Sequence, residues 1–239
     1  MGSQQEIRDL YAKAKNYGTN WRLDYFPHEK DNENLADHGH WDYFFNNYGF
    51  RSHDESDYSL DDVTNDIWCF GCSFTMGTGV SRKHTWTSVI QRLTGRNVKN
   101  FGVGGSGPLT TWRLMQSWYK ESSTKPKDIL VLGFWPGRTE IWKDNCYQLQ
   151  THNNTLDLPY DPFEVDKMYE DVIPKIINFH NTTLIDVEEM VKIAIDRKLN
   201  DMGRDNSIGI QNTYNFFGHP GIKFHNFIAQ TFLEKLNAW

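Results

Sequence analysis

Hydrophobic and polar positions along the chain fall into two regimes. Residues 4–16 place Ile7, Leu10, Tyr11 and Ala14 on one stripe, the spacing of a short amphipathic helix that ends near Gly18. From there to Thr64 polar and aromatic residues mix without a period, and residues 54–62 hold five acids and no base, the pattern of a solvated connector. From Asp66 the pattern becomes regular. An apolar run at 67–70 has the length of a buried strand and breaks at Gly71 into a loop that holds Ser73. Thr85 then stands where a helix cap belongs, Trp86, Val89, Ile90 and Leu93 keep helical spacing, and Gly95 ends the segment. Residues 97–101 predict a second strand, running into the glycine-rich stretch 102–107. Pro108 suits a first helical turn, with Leu109, Trp112, Met115 and Tyr119 following at spacings of three and four. Residues 129–134 form the cleanest strand in the chain.

Strand–helix–strand–helix–strand predicts a parallel sheet with crossover helices, hence an α/β fold. Beyond Trp135 the pattern is rougher. Residues 143–162 are polar with two prolines and suggest an excursion at the rim of a site. Helix is expected over 163–178, interrupted at Pro174, strand over 183–187 and helix over 191–199. A loop over 201–217 precedes a last helix over 222–236. The expected organisation is an extension, 1–62, packed on a main domain, 63–239.

Composition narrows the class. Only 38% of the 239 residues are hydrophobic, but 15% are aromatic and nine are Trp, and rings bury enough area each to build a core. Surplus exposed aromatics would also suit stacking on sugars or peptides. The net charge is −6 and the basic residues are scattered, which argues against a nucleic-acid partner. No apolar run approaches the ~18 residues of a membrane helix, and the amino terminus carries no basic-then-apolar leader. Three cysteines cannot all pair, which points to a reducing compartment. A cytoplasmic protein is expected.

The candidate chemistry centres on Ser73. A serine just past the carboxyl end of a strand, flanked by glycines that let other backbone approach, is where an α/β fold exposes a nucleophile. The stretch from Gly71 to Val80 resembles the first block of the SGNH (GDSL-type) hydrolases, in the variant where Gly-Cys-Ser-Phe-Thr replaces Gly-Asp-Ser. Asn100-Phe-Gly-Val-Gly-Gly105 resembles their second block, and His219-Pro-Gly before a terminal helix resembles their last.

The resemblance implies a three-layer, flavodoxin-like fold and hydrolysis of acyl esters, often O-acetyl groups on carbohydrates or lipids, with no cofactor. It makes Ser73 the nucleophile and His219 the general base, with the backbone N–H groups of Ser73 and Gly105 holding the oxyanion. Each such donor contributes ~3–4 kcal/mol. Two positions depart from the pattern. The third block should read Gly-x-Asn-Asp, but here it reads Gly133-Phe134-Trp135-Pro136, so the Asn donor is absent and Arg138 is the nearby cation. The Asp expected three residues before the histidine is Phe216. Losing the residue that orients the imidazole costs about 10⁴ in kcat. A Ser–His pair acting alone, a carboxylate from Asp205 or Asp201, and a binding protein that has lost catalysis are the three ways to read that departure.

Two other patterns compete. Trp68-Cys69-Phe70-Gly71-Cys72 resembles a thioredoxin-type redox signature, but such chemistry wants its first cysteine at a helix amino terminus, and Cys69 falls in a strand. His38, His40 and Asp42 have the spacing of a zinc-hydrolase run without its further ligands. His84 and His225 are expected to be structural or surface residues. The expectation is a serine esterase for a small-molecule or carbohydrate acyl ester, with no metal.

Overall fold

A computed structural model describes residues 50–51, 59–134, 138–143, 146–151, 162–199 and 219–237. Its organising strand is β1 (Ile67–Gly71), with every residue buried. Because strand side chains alternate between faces, β1 splits the interior in two. Ile67 and Cys69 join one hydrophobic cluster, Trp68 and Phe70 the other.

Four parallel strands form the main sheet, in the order β2 (Val98–Gly102), β1, β3 (Asp128–Leu132), β6 (Thr182–Ile185). Ile67 stands opposite both Val98 and Asp128, and Ile129 opposite Thr182. From β1 the chain steps out to β2 and then returns past β1 to β3. Right-handed crossovers in opposite directions put their helices on opposite faces of the sheet. After β1 come α1 (Ser73–Met76), a single 3₁₀ turn (Arg82–His84) and α2 (Trp86–Thr94). α3 (Pro108–Glu121) links β2 to β3. α2 packs with α5 (Val187–Asp196) and α6 (Ile222–Asn237) on the Ile67 face, while α3 packs with α4 (Pro162–Ile177) on the Trp68 face. The result is the three-layer α/β architecture expected, in the flavodoxin-like strand order.

Local chemistry explains most boundaries. Thr85 Oγ1 accepts the Ser88 amide at 3.2 Å, capping α2, and Gly95 ends it in the left-handed region at φ 65°. Pro108 opens α3 without a hydrogen-bond donor to lose. Several segments differ from expectation, among them the helix expected to be interrupted at Pro174, which runs through that residue from Pro162 to Ile177. The helix after β6 begins at Val187 rather than 191, because Asp186 Oδ1 accepts the Glu189 amide at 2.9 Å and two glutamates fill the first turn. The segment expected to be a polar excursion, 143–162, holds β5 (Cys146–Thr151) and the last residue of β4 (Arg138–Lys143), which pair as an antiparallel hairpin and form a second sheet. β4 has no apolar alternation, and that of β5 covers only Tyr147 to Gln150.

The aromatic residues of this region serve as core. Trp68, Trp86 and Trp118 are fully buried. Phe70 stacks on Phe101 at 4.8 Å, and Trp86 on Phe232 at 4.8 Å. Phe50 meets Phe101 and Trp118 edge-on at 5.1 and 5.7 Å. The expected helix over 4–16 lies outside the described residues. No helix among them is long and apolar enough to cross a membrane.

Candidate active site

The strand order reverses between β1 and β3, and the crevice beyond the carboxyl ends of strands at such a point is where open α/β sheets bind ligands. Ser73 stands at that edge. The sequence predicts a loop there; instead Ser73 is the first residue of the four-residue helix α1, because the chain turns immediately after Gly71. Gly71 has φ 148°, and a Cβ on it would lie 2.8 Å from the Leu132 carbonyl oxygen. Only glycine lets β1 end so close to β3. Cys72 precedes α1 as its N-cap, with its carbonyl accepting the amides of Thr75 and Met76 at 3.0 Å each. Ser73 is largely buried, at 8% exposure.

The glycine-rich segment after β2 folds against this turn. Val103 N and Ser106 Oγ both donate to the Gly71 carbonyl, at 2.9 and 3.1 Å, two residues before Ser73. Gly105 sits within that segment at φ 79°, in the left-handed region. Among the described residues neither the Ser73 nor the Gly105 amide donates to a backbone carbonyl. Asn100 fastens α1 to the end of β2. Its Nδ2 donates to the Thr75 carbonyl at 2.8 Å and to Thr87 Oγ1 at 3.1 Å, while its Oδ1 accepts the Gly102 amide at 2.9 Å. A Cβ at Gly102 would come within 2.2 Å of Met76 N, so α1 rests on bare backbone.

His219 arrives from the other end of the chain, just ahead of α6. Its ring lies edge-on to Phe74, the neighbour of Ser73, with centroids 6.1 Å apart. Phe74 also meets Phe224 of α6 at 6.2 Å. Arg138 opens β4 with its main chain held from two sides. Arg138 N donates to Tyr169 Oη at 3.0 Å, and Tyr169 Oη donates back to the Arg138 carbonyl at 3.0 Å. On the other side a Cβ at Gly107 would lie 2.3 Å from that same carbonyl oxygen. The charge of Arg138 is felt at Cys72, where it opposes the upward pull of burial on the thiol. Trp135, at the position of the missing Asn donor, lies outside the described residues, and its neighbour Phe134 is a core residue.

The competing patterns find less support. Cys69 and Cys72 are free and buried, Cys69 lies inside β1, and burial pushes both thiols up, the reverse of a reactive thiolate. His38, His40, Asp42, Asp201, Asp205 and Phe216 lie outside the described residues. His84 is pushed down by partial burial and then by the charges of Lys83 and Arg92. His225 is fully buried, with Nδ1 accepting the Trp86 amide at 3.1 Å.

One residue at this edge escaped the sequence reading. Arg51, nearly fully buried, donates from Nη1 to the carbonyls of Met76 (3.3 Å) and Gly77 (2.5 Å) and from Nη2 to that of Val80 (2.8 Å). An arginine in an aperiodic polar stretch carries no local signal of such a role.

Fold and edge together define a three-layer α/β protein with a serine at the switch point of its sheet. No family profile matches the sequence, and no curated protein matches it either. Solved structures similar to it are lipolytic proteins and esterases. A lipolytic protein of the G-D-S-L family from Veillonella parvula shares 17% identity over 74% of this chain and 100% of its own, with a TM-score of 0.43. A second protein of that family, from Desulfitobacterium hafniense, shares 11% over 70% and 97%, at 0.38. An acetyl xylan esterase from Butyrivibrio proteoclasticus shares 14% over 75% and 65%, at 0.41.

Proposed function

We propose that this protein is a serine ester hydrolase of the SGNH type, acting on O-acyl groups of a carbohydrate or other small alcohol. The observation that carries the reading is the meeting of three distant segments at one sheet edge. The Ser73 turn, the Gly105 segment bonded to Gly71, and His219 beside Phe74 come together there. These are the segments that the sequence resemblance matched, in the same chain order.

In the proposed reaction Ser73 Oγ attacks the ester carbonyl carbon while His219 takes the hydroxyl proton. The carbonyl oxygen gathers negative charge, and the amides of Ser73 and Gly105 are the proposed donors to it. Collapse breaks the bond to the alcohol, which leaves with the proton returned by His219. Water then repeats the sequence on the acyl-enzyme, releasing the carboxylic acid and restoring Ser73. Arg138 is proposed to bind substrate on the side where the Asn donor is missing. Its locked main chain and its charge beside Cys72 support that assignment. Asp205 is the proposed orienting carboxylate for His219. A single domain over 63–239 with the extension 1–62 packed on it, working in the cytoplasm, completes the reading.

A fluorophosphonate probe with intact-mass readout tests it. One equivalent should add to the protein and none to Ser73→Ala. Hydrolysis of p-nitrophenyl acetate should fall by about 10³-fold or more in the same variant. Absence of labelling at high probe would instead favour a binding protein that keeps the cleft without the chemistry.

A further inference from the structure

The candidate nucleophile sits on a helix of only four residues, with Gly77 ending it in the left-handed region at φ 83°. So short a helix has almost no internal hydrogen bonding to hold it, and its last carbonyls have no partner within it. Arg51 supplies one. Its guanidinium reaches across from a distant segment and spans the carbonyls of Met76, Gly77 and Val80, closing the 77–80 turn onto the end of α1. The fit is tight, since a Cβ at Gly77 would lie 2.9 Å from Arg51 Nη1. α1 is held as well by Asn100 Nδ2 on Thr75 O, and by the bare backbone of Gly102.

We propose that Arg51 is a positioning residue for Ser73. The inference rests on the hydrolase reading for its kinetic consequence, and on the Arg51 geometry alone for its mechanical one. Arginine suits the task because its planar fork serves several carbonyls at once, whereas lysine offers a single point charge. With the clamp removed, α1 can tilt, and displacement of a nucleophile by about 1 Å costs on the order of a hundredfold in rate.

The test compares wild type with Arg51→Lys and Arg51→Met by two readouts. In hydrogen exchange, peptides covering 73–81 should exchange faster in both variants while those from β1, β2 and β3 keep their protection. In steady-state hydrolysis of p-nitrophenyl acetate, normalised to Ser73 titrated with the fluorophosphonate, kcat per titrated site should fall about ten- to a hundredfold. KM should stay within about twofold, since the clamp touches no substrate, and the lysine variant should lose less than the methionine variant. Unchanged exchange over 73–81, exchange raised evenly through the sheet, or an unchanged kcat per titrated site would each overturn the proposal. If wild type takes up no probe, the hydrolase reading fails, and the exchange comparison still decides whether Arg51 holds α1.

Discussion

His225 is the residue whose chemistry departs furthest from its behaviour in water. It is sealed in the core, with Nδ1 accepting the Trp86 amide and Nε2 finding no hydrogen-bond partner among the described residues. Burial first, and then the charges of Arg51, His219 and His84, push it down to about 3 from an ordinary value of 6.5. The unfolded chain therefore takes up a proton that the folded one refuses. The stability associated with neutral His225 is complete above the unfolded value. It is lost as pH falls from there toward the folded one, by about 1.4 kcal/mol per unit. His225→Asn keeps an acceptor for the Trp86 amide and removes the titration. Urea unfolding between about pH 6 and pH 4.5 should show a shallower loss of stability in the variant than in wild type, by roughly that slope. Equal slopes would mean that the protein accommodates a charged His225. Of the residues singled out from sequence, Ser73, Gly105, Arg138 and His219 all fall at or next to one edge of the sheet. A motif names the residue type that the chemistry needs, and that much is local. Arg51 and Tyr169 were not legible, because a side chain that holds another segment's backbone leaves no periodicity of its own.

Among the elements, α1 depends on what lies under it. Gly102 lets α1 pack directly on the end of β2, and an added Cβ would sit 2.2 Å from Met76 N and 2.6 Å from the Thr75 carbonyl carbon. Both obstacles are backbone and neither can swing aside. Gly102→Ala is therefore expected to destabilise by about 1–3 kcal/mol, as overpacking does. It should also lower the rate of fluorophosphonate labelling, because the displaced element carries Ser73. Thermal unfolding and labelling rate measured together check both, and an unchanged pair would mean that α1 is not seated as described. Elements with strong end signals were readable in advance. Thr85, Gly95 and Pro108 each impose a local hydrogen-bonding or φ requirement, and the boundaries fall beside them. Where the signal was a carboxylate reaching into a turn, as at Asp186, an apolar run misplaced the helix start by one turn. The β4–β5 hairpin escaped because β4 sets Ile141 beside Trp142 with no alternation, and the Tyr147-Gln148-Leu149-Gln150 alternation of β5 is too short to stand out from its polar surroundings.

At the scale of the molecule, the amino-terminal end of the sheet is held by charge. Lys99 of β2 is buried and pairs with Asp66, the residue before β1, which also accepts from Asn97 Nδ2 at 3.0 Å. Arg96 bridges the same end, pairing with Asp128 of β3 at 2.6 Å and donating to the carbonyls of Asn65 and Asp66. Removing one partner of a buried pair strands the other charge, so Lys99→Met should cost about 3–5 kcal/mol. Removing both, as in Asp66→Leu with Lys99→Met, should recover most of that loss. Denaturant titration of the three proteins checks the cycle, and additive losses would show that the two charges do not depend on each other.

Local pattern was enough to specify an α/β chain, its three strands and two longer helices from Asp66 to Phe134 though not the four-residue helix α1, and the serine at the end of its first strand. Caps, glycine breaks and side-chain alternation act over a few residues and leave their mark there. Packing alone settled that β1 lies between β2 and β3, that His219 comes to rest against Phe74, and that Arg51 grips the end of the helix carrying Ser73. Those are contacts between segments far apart in the chain. Their energy comes from burial and hydrogen bonding across the gap, which no short stretch of residues records.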